Sequence, residues 1–471
     1  MTPRTRLSLP VTTLALLLAG AMAPQAAASG FQLREQSASA QGNAFAGISA
    51  GGADISGMFF NPASLTAFDG FQVVLGGSNV APKAELGNAK GSRTALTGGS
   101  TISGPTENGN SAQSAVLPGI YAMWSVSKDF KLGLSVNAPF GLVTEYDNTF
   151  VGRYHALKSD LKTVDVALNA AYRVTPKLSV GATLIYRKVE AELSNAVDFG
   201  EIAFLGLSQA GSPAAASFNP NTTNSAFDGK ATIKGDKAVT GYKLGLTFEP
   251  VPGVRTGLAY QGATTVKIDG TVNYQYPTIA SPALAGAFNA VVAGGKLQNG
   301  TAATEITLPD TTSFGITWDV TSKVNLGFEA AQTGWSKFKE LRVKFGSGQA
   351  DSVTNENWKN TLYLSLGLNW KVTDALTLRA GLATDQGAVE DGYRTPRIPD
   401  ADRTWMSVGM AYAFTKSFGI DLAYTHIAVK DGPVALVAGT SPSGPDFYRG
   451  NLTGTYKNSI EIMALQARFS F

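Results

Sequence analysis

The chain has 471 residues, a formal net charge of +3 and only 15% charged residues, against roughly 25% in an ordinary soluble domain. The small net charge argues against a nucleic-acid partner, and the absence of cysteine excludes disulfides, thiolate nucleophiles and Cys-ligated metals. Beyond residue 30 no window reaches the ~18 consecutive apolar residues of a spanning helix, which excludes an α-helical membrane protein. We predict no cofactor and no metal site.

Residues 1–28 have the features of a secretory signal peptide. Two arginines precede an apolar run over 11–23, and the small residues of 26–28 supply a cleavage site. We therefore expect the mature chain to begin near Ser29. A retained membrane anchor is the alternative, but the apolar run is short and no charged segment follows it.

Residues 29–70 are rich in Gly, Ala and Ser and show no sustained period of two. Within them, Asn61, Pro62 and Ala63 suggest an N-cap followed by proline at the first position of a short helical turn. This segment is predicted to be a plug of short helices that fills the periplasmic end of a wide barrel.

Residues 71–471 consist of alternating segments joined by connections that are in turn very short and long. Turn chemistry marks six short connections, near 127–129, 175–177, 250–253, 320–322, 372–374 and 415–417. Seven long connections are predicted over 81–114, 143–159, 194–228, 271–303, 344–356, 388–401 and 431–451. Together they predict an all-β membrane protein, a 14-stranded antiparallel outer-membrane barrel with both chain ends on the periplasmic side.

The last strand shows why the outside should be apolar. Met463, Leu465 and Phe471 alternate with Gln466 and Arg468. A basic residue that faces lipid at the bilayer midplane costs about 2–4 kcal/mol, so the polar face is expected to line the lumen. A terminal Phe after such alternation also resembles the recognition signal of the outer-membrane barrel assembly machinery. A soluble β-sandwich is the alternative, and it does not explain polar faces that turn inward.

Several motifs in order resemble the FadL family of outer-membrane transporters for long-chain fatty acids and related hydrophobic compounds. They are the segments 30–33 (GFQL), 61–63 (NPA), 138–146 (APFGLVTEY), 158–174, 334–346 (GWSKFKELRVKFG) and 397–414. The resemblance covers essentially the whole mature chain. It implies a monomeric barrel with an N-terminal hatch, an internal hydrophobic site and sideways exit of the substrate through the wall.

The third predicted strand carries Pro139, Phe140 and Gly141 where pairing should continue. Proline lacks the ladder donor, so a kink or gap is expected here. An apolar cargo gains ~0.8 kcal/mol per CH₂ on entering hydrocarbon, which favours release into the membrane. By resemblance, Ser29, Gly30 and Phe31 would lie in or near the binding pocket and act as an N-terminal gate.

Two of the long connections contain apolar clusters, with Phe204, Leu205 and Leu207 in one and Leu284 and Phe288 in the other. Exposed clusters of this kind mark interaction sites. In the family these loops form an outer groove that captures substrate. Packing of one loop on the other is the alternative.

A carboxylate head group would need a basic partner in the lumen. Fatty-acid-carrying members have Arg and Lys near the outer ends of the fifth and tenth strands, where this chain has Leu193 and Thr354. Arg187 and Lys359 lie close by with inward parity and could substitute. Each could equally be a lumen charge that is paired with Asp or Glu.

The sequence therefore predicts passive uptake of long-chain fatty acids or similar hydrophobic molecules across the outer membrane of a Gram-negative bacterium. Its partners would be the cargo, outer-membrane lipid and the assembly machinery. An aromatic-hydrocarbon channel of the same mechanism is the alternative. A general porin is less favoured because of the apolar clusters in the loops. An outer-membrane hydrolase is less favoured because His155 and His426 lie far apart in the sequence, and only the lipid-facing parity of His426 keeps this alternative open.

Overall fold

Alternating apolar and polar residues form fourteen antiparallel strands that close into a barrel. The computed structural model describes residues 30–442, 444 and 446–471, so the predicted signal peptide and Ser29 lie outside the described residues. In this part of the chain no helix is both long and apolar enough to cross a membrane.

Nine strands are continuous: β1 (Phe71–Ser92), β2 (Ala115–Ser125), β4 (Lys158–Thr175), β5 (Leu178–Asp198), β6 (Asp228–Val251), β11 (Leu376–Asp385), β12 (Arg403–Ala413), β13 (Phe418–Val429) and β14 (Asn451–Ser470). Five are interrupted: β3 (Phe130–Asn137, Gly141–Glu145), β7 (Val254–Gln261, Thr264–Gln275), β8 (Gly300–Leu308, Thr311–Asp319), β9 (Val324–Thr333, Glu340–Phe345) and β10 (Ser352–Asn355, Thr361–Lys371). Short paired segments at Thr101–Ile102 and Gly432–Leu436 extend the sheet into the outer loops.

The first and last strands close the barrel. β1 pairs antiparallel with β14 from Gln72 opposite Ser470 up to Ser92 opposite Asn451. Closure pairs the two terminal strands, which would otherwise expose the outer edges of the sheet to hydrocarbon.

The faces of the strands are divided as the alternation predicts. Met463, Leu465 and Phe471 are exposed on the outside, while Gln466 is buried. Arg379 is buried and pairs with Asp421 at 2.7 Å. Ionic groups in the lumen thus satisfy one another, as the low dielectric of the interior requires.

Residues 30–70 fill the lumen as a hatch of short helical turns. These are α1 (Ala38–Gln41) and 3₁₀ turns at Ile48–Ala50, Ile55–Phe59 and Pro62–Ala67. The hatch backbone lies directly against the inner wall: a Cβ at Gly257 would overlap the carbonyl oxygen of Ser49. Phe45 and Ile48 of the hatch share one core cluster with Trp405 and Tyr363 of the wall.

Two sequence predictions about the wall need correction. The long connection predicted over 81–114 is wrong at its start, because β1 continues to Ser92, and β5 likewise continues to Asp198 in a predicted loop. The sequence also predicted one interrupted strand, whereas β7, β8, β9 and β10 are interrupted as well.

The outer loops carry three further helices. They are α2 (Phe199–Gln209), α3 (Pro220–Thr223) and α4 (Pro282–Gly294), with 3₁₀ turns at Ala95–Thr97, Pro213–Phe218 and Phe447–Arg449. Another 3₁₀ turn, Trp335–Lys337, lies inside the interruption of β9.

Candidate functional site

The strand interruptions build an aromatic pocket inside the barrel. The interruption of β9 supplies Trp335 and Phe338, that of β10 supplies Trp358, and that of β3 supplies Phe140. All four side chains are buried. Successive residues of a regular strand face lipid and lumen alternately. Because these four residues lie outside the ladder, all of their rings can turn into the lumen.

Phe31 occupies this pocket. Its ring centroid lies 4.7 Å from Trp335, 5.6 Å from Trp358, 6.0 Å from Phe338 and 6.2 Å from Phe140. Such edge-on and tilted arrangements contribute about 0.5–1.5 kcal/mol per pair beyond the burial of area. The pocket, hereafter the Phe31 pocket, is therefore an apolar site that is filled by the protein's own side chain.

Gly30 allows the chain to enter the pocket. It has φ +60°, and a Cβ there would lie 2.6 Å from the Trp358 ring. Its N–H donates to Asp400 Oδ2 at 3.1 Å, and the same oxygen accepts from the N–H of Ala388 at 2.7 Å. The start of the described chain is thus anchored to the loop between β11 and β12.

The backbone on either side of Phe31 binds the interruption of β3. The carbonyl oxygen of Phe31 accepts from the N–H of Gly141 at 2.9 Å, and the N–H of Leu33 donates to the carbonyl oxygen of Pro139 at 2.8 Å. The opposite side of the interruption is occupied by Thr163 of β4, whose Oγ1 donates to the carbonyl oxygen of Phe140 at 2.7 Å.

On its other flank, β3 loses its strand partner. Regular pairing of β2 with β3 ends at Gly119 opposite Asn137, and one isolated bridge, Ala112 to Thr144, lies beyond it. The segment 31–36 therefore fills the place of a missing ladder partner. Proline and glycine mark this position in the sequence, and the structure interrupts the strand where they predict it.

Asn61, Pro62 and Ala63 lie in the hatch, where Asn61 and Pro62 pack against Gly245 of β6. Asn61 caps the turn that Pro62 begins, because its Oδ1 accepts from the N–H of Ala63 at 3.0 Å. Its Nδ2 donates to the carbonyl oxygens of Ser49 at 2.6 Å and Leu246 at 2.9 Å. One side chain thereby joins two parts of the hatch to β6.

The two apolar loops pack on one another above the barrel. Phe288 of α4 contacts Phe199 and Phe218, with ring centroids 5.6 Å and 6.2 Å away. Leu207 and Phe288 are buried, whereas Phe204, Leu205 and Leu284 are half-buried. The buried residues hold the loops together, and the half-buried residues leave apolar surface on the outside.

A polar network docks α2 onto the first outer loop. Asp198 pairs with Arg93 at 2.6 Å and accepts from the N–H of Glu201 at 2.8 Å. Thr97 donates to Glu201 Oε1 at 2.5 Å. Burial raises the pKa of Glu201 to about 7.

The two head-group candidates differ in position. Arg187 is buried and binds both carboxylate oxygens of Asp165, at 2.7 and 2.6 Å, and its guanidinium lies 4.8 Å from the centre of the Phe140 ring. Lys359 is exposed, whereas its neighbour Trp358 is buried. The inward orientation of Lys359 was predicted from the period of two, which no longer applies there, because residues 356–360 have left the ladder.

The histidines lie in separate environments. His155 is buried in an outer loop and contacts the carbonyl oxygen of Gly450 at 3.1 Å. His426 faces outward, where its Nδ1 lies 2.7 Å from Glu461 Oε1, and Tyr424 donates to Oε2 of the same carboxylate at 2.6 Å.

Sequence reasoning identified part of the Phe31 pocket. Trp335 and Phe338 belong to the segment 334–346 that carried the family resemblance, but nothing assigned them to the pocket. Trp358 was not singled out, although an isolated Trp between Asn357 and Lys359 is an unusual feature for an exposed loop.

The chain was compared with known proteins. Residues 19–471 match the family model described as "Outer membrane protein transport protein (OMPP1/FadL/TodX)". A long-chain fatty acid transport protein of Escherichia coli is 29% identical over 86% of this chain and 87% of its own. A 47 kDa outer membrane protein of Pasteurella multocida is 32% identical over 88% of this chain and 91% of its own. The crystal structure of a Pseudomonas aeruginosa FadL homologue is similar with a TM-score of 0.81 and 25% identity, over 94% of this chain and 100% of that one.

Proposed function

Because this chain belongs to the FadL/TodX family of outer-membrane transport proteins for hydrophobic compounds, we propose that it takes up long-chain fatty acids or similar amphiphiles and releases them sideways into the membrane. It resides in the outer membrane of a Gram-negative bacterium. The observation that carries the proposal is that one peptide, 30–33, both fills the aromatic pocket and covers the interruption of β3.

Capture takes place on the outer loops. The half-buried side chains of Phe204, Leu205 and Leu284 provide an apolar surface at the entrance. An alkyl chain gains about 25 cal/mol for each Å² of apolar area that it removes from water. Leu207 and Phe288, which are buried beneath this surface, hold the two loops in position.

From this surface the cargo moves to the Phe31 pocket. An apolar ligand must displace the Phe31 ring, since the two compete for contact with Trp335 and Trp358. Displacement of Phe31 weakens two backbone hydrogen bonds to β3: the one that the Phe31 carbonyl oxygen accepts from Gly141 and the one that the N–H of Leu33 donates to Pro139. Ligand binding and exposure of the interruption are thereby coupled.

Exit follows through the interruption of β3. With residues 31–33 withdrawn, the β2 side of Pro139 and Phe140 has no ladder partner, and Pro139 has no N–H to offer one. The cargo enters hydrocarbon, where its apolar surface is stable. Arg187 could orient an anionic end on the way, if its pairing with Asp165 is relaxed.

A reversible lock tests the coupling. Gln32 and Phe140 are bridge partners, and the native chain has no cysteine, so the double variant Gln32→Cys, Phe140→Cys can form one disulfide only. We expect oxidised cells to take up labelled palmitate at background rate, and dithiothreitol to restore uptake to the level of the single Phe140→Cys variant.

The two single-cysteine variants are the controls, since oxidation should leave both unchanged. Undiminished uptake by the oxidised double variant, with the disulfide verified by thiol labelling, would refute the sideways route. Parallel assays with toluene decide the substrate class: transport of toluene without palmitate would favour the aromatic-hydrocarbon alternative.

A further inference from the structure

A second cavity, separate from the Phe31 pocket, lies among the outer loops. It has a volume of about 210 Å³. The loops after β11 and β13 and the start of β10 supply most of its wall, and its chemically active residues are His155, Thr354, Thr395, Arg397, Asp446 and Arg449. None of the residues that line it belongs to the core cluster around Phe31.

Arg397 is exceptional among the buried arginines of residues 30–442, 444 and 446–471. Every other buried arginine has a carboxylate within 4.0 Å: they are Arg93, Arg153, Arg187, Arg379, Arg394 and Arg403. The guanidinium of Arg397 has only neutral partners among these described residues. Its Nη1 donates to the carbonyl oxygen of Lys158 at 3.1 Å and to Ser159 Oγ at 3.2 Å.

An unpaired buried charge is costly. Arg397 is 7% exposed, and a charged group that is removed from water without a counter-charge loses several kcal/mol of solvation. Burial and the nearby Arg449 lower the pKa of Arg397 to about 9, which still leaves it cationic at neutral pH. Glu356 lies further away and accepts from Trp358 Nε1 at 2.9 Å.

The remaining wall fits an anion. Arg449 pairs with Asp446 at 2.7 Å and also donates to Thr354 Oγ1 at 2.8 Å. Thr395 is 5% exposed, and its hydroxyl has no hydrogen-bond partner in the described residues. Burial lowers the pKa of His155 to about 4, so this ring is neutral. The residues that line the cavity thus include two arginines and one aspartate, a net charge of +1, while Glu356, which also acts electrostatically on both arginines, lies outside this lining.

We propose that this cavity binds a carboxylate monoanion, the head group of the amphiphile whose uptake is proposed above. Arg397 supplies the charge, and the free hydroxyl of Thr395 supplies a hydrogen-bond donor. The inference rests on the proposed function and deepens it, because it distinguishes fatty acids from neutral hydrocarbons as cargo.

The position of the cavity suits this role. Thr354 in its wall and Trp358 in the Phe31 pocket are four residues apart in the sequence, so at most ~14 Å of chain separates them. A long alkyl chain whose carboxylate is held here can reach the aromatic rings with its tail.

Binding of matched probes tests the proposal. We would measure the affinities of palmitate and hexadecanol, which share a C16 chain, for the purified full chain in non-ionic detergent. Wild type should prefer palmitate. Arg397→Gln should lower the affinity for palmitate by about tenfold or more, as expected for loss of a charge-assisted hydrogen bond. The affinity for hexadecanol should not change. Arg397→Lys should retain most of the preference.

Arg342→Gln is the matched control. Arg342 is a half-buried arginine that pairs with Glu340 and Asp351, and its replacement should change the affinity for neither probe. Thr395→Val is a second variant, and it keeps all charges. It should lower the affinity for palmitate roughly fivefold and leave the affinity for hexadecanol unchanged. Heat-modifiable mobility on gels verifies that each barrel is folded.

The outcomes separate this inference from the proposed function. The head-group site is refuted if folded Arg397→Gln lowers the affinities for both probes equally. It is also refuted if wild type binds hexadecanol as tightly as palmitate. In either case the proposal of hydrophobic uptake stands. If wild type binds neither probe, the proposed function itself fails, and this inference with it.

Discussion

The carbonyl oxygen of Phe31 accepts a hydrogen bond from the N–H of Gly141 at 2.9 Å. Phe31 thus has two attachments, a ring among aromatic side chains and a backbone bond to an interrupted strand. The first attachment can be replaced by an apolar ligand, whereas the second cannot. If the proposed coupling is correct, this difference makes the position of the peptide depend on whether the pocket is occupied.

Phe31→Ala should separate binding from transport. It removes the competitor from the pocket, so we expect the affinity for palmitate to rise by about tenfold or more, since burial of a Phe ring contributes roughly 3–5 kcal/mol. Uptake should fall, because the ligand no longer has to displace the peptide. Quenching of Trp335 and Trp358 fluorescence reports binding. Phe71→Ala, an exposed Phe at the start of β1, is the control, and a parallel change in affinity and uptake would contradict the coupling.

Replacing Pro139 by Thr and Gly141 by Val should close the wall. Both replacements are good strand formers, and Thr restores the N–H that proline lacks. We expect uptake of palmitate to fall to background while the purified protein still binds it. Pro118→Thr, at a proline inside the regular part of β2, should transport normally. Normal uptake by the double variant would count against exit at this position.

Asn61→Ala should loosen the hatch. The substitution removes the N-cap and two hydrogen bonds to carbonyl oxygens, and carbonyl groups left unsatisfied in the interior cost about 1–3 kcal/mol each. We expect ion conductance in planar bilayers where wild type is closed, together with faster proteolysis within residues 30–70. Asn221→Ala in an exposed loop serves as the control. A closed, protease-resistant variant would show that other contacts suffice.

The docking of α2 should weaken as pH rises through neutrality. Burial raises the pKa of Glu201 to about 7 from 4.5, so below this range the docked and undocked loops are both protonated. Between the two values only the docked loop retains the proton, and docking therefore loses stability with rising pH, on the order of 1–3 kcal/mol in all.

Glu201→Gln should abolish this dependence, because the amide does not titrate. Hydrogen exchange over residues 199–209 between pH 5 and 8, after correction for intrinsic rates, is the measurement. A pH response of equal size in the variant would mean that another group is responsible.

The regular part of the barrel could be predicted because hydrocarbon outside and polar groups inside impose a period of two on every strand. The same reasoning failed wherever this constraint ends. β1 rises beyond the apolar belt, where Lys83 and Glu85 are both solvent-accessible, so the alternation weakens although the ladder continues. The predicted loop at 81 therefore began too early.

The pocket was harder to predict because its residues lie in the strand interruptions. Lys359 was assigned an inward direction by counting from Thr361, and that count crosses residues that are not in the ladder. Pro309 and Gly334 mark two of the missed interruptions, but a single Pro or Gly occurs equally in turns and bulges. Which rings converge on Phe31 depends on tertiary geometry that no local pattern contains.

The strands β7, β8, β9 and β10 are neighbours in the wall, and their interruptions divide each of them into a lower and an upper segment. The lower segments form an unbroken ladder, from Val254 opposite Trp318 to Val324 opposite Trp370. This ladder contacts the hatch. Irregular backbone joins each upper segment to its lower one, and the upper part of β7 also pairs with the continuous strand β6, from Asp269 opposite Asp236 to Gln275 opposite Lys230. The hatch turn Ile48–Ala50 accordingly packs against the lower segments of β7, β8 and β9, beneath all of these interruptions.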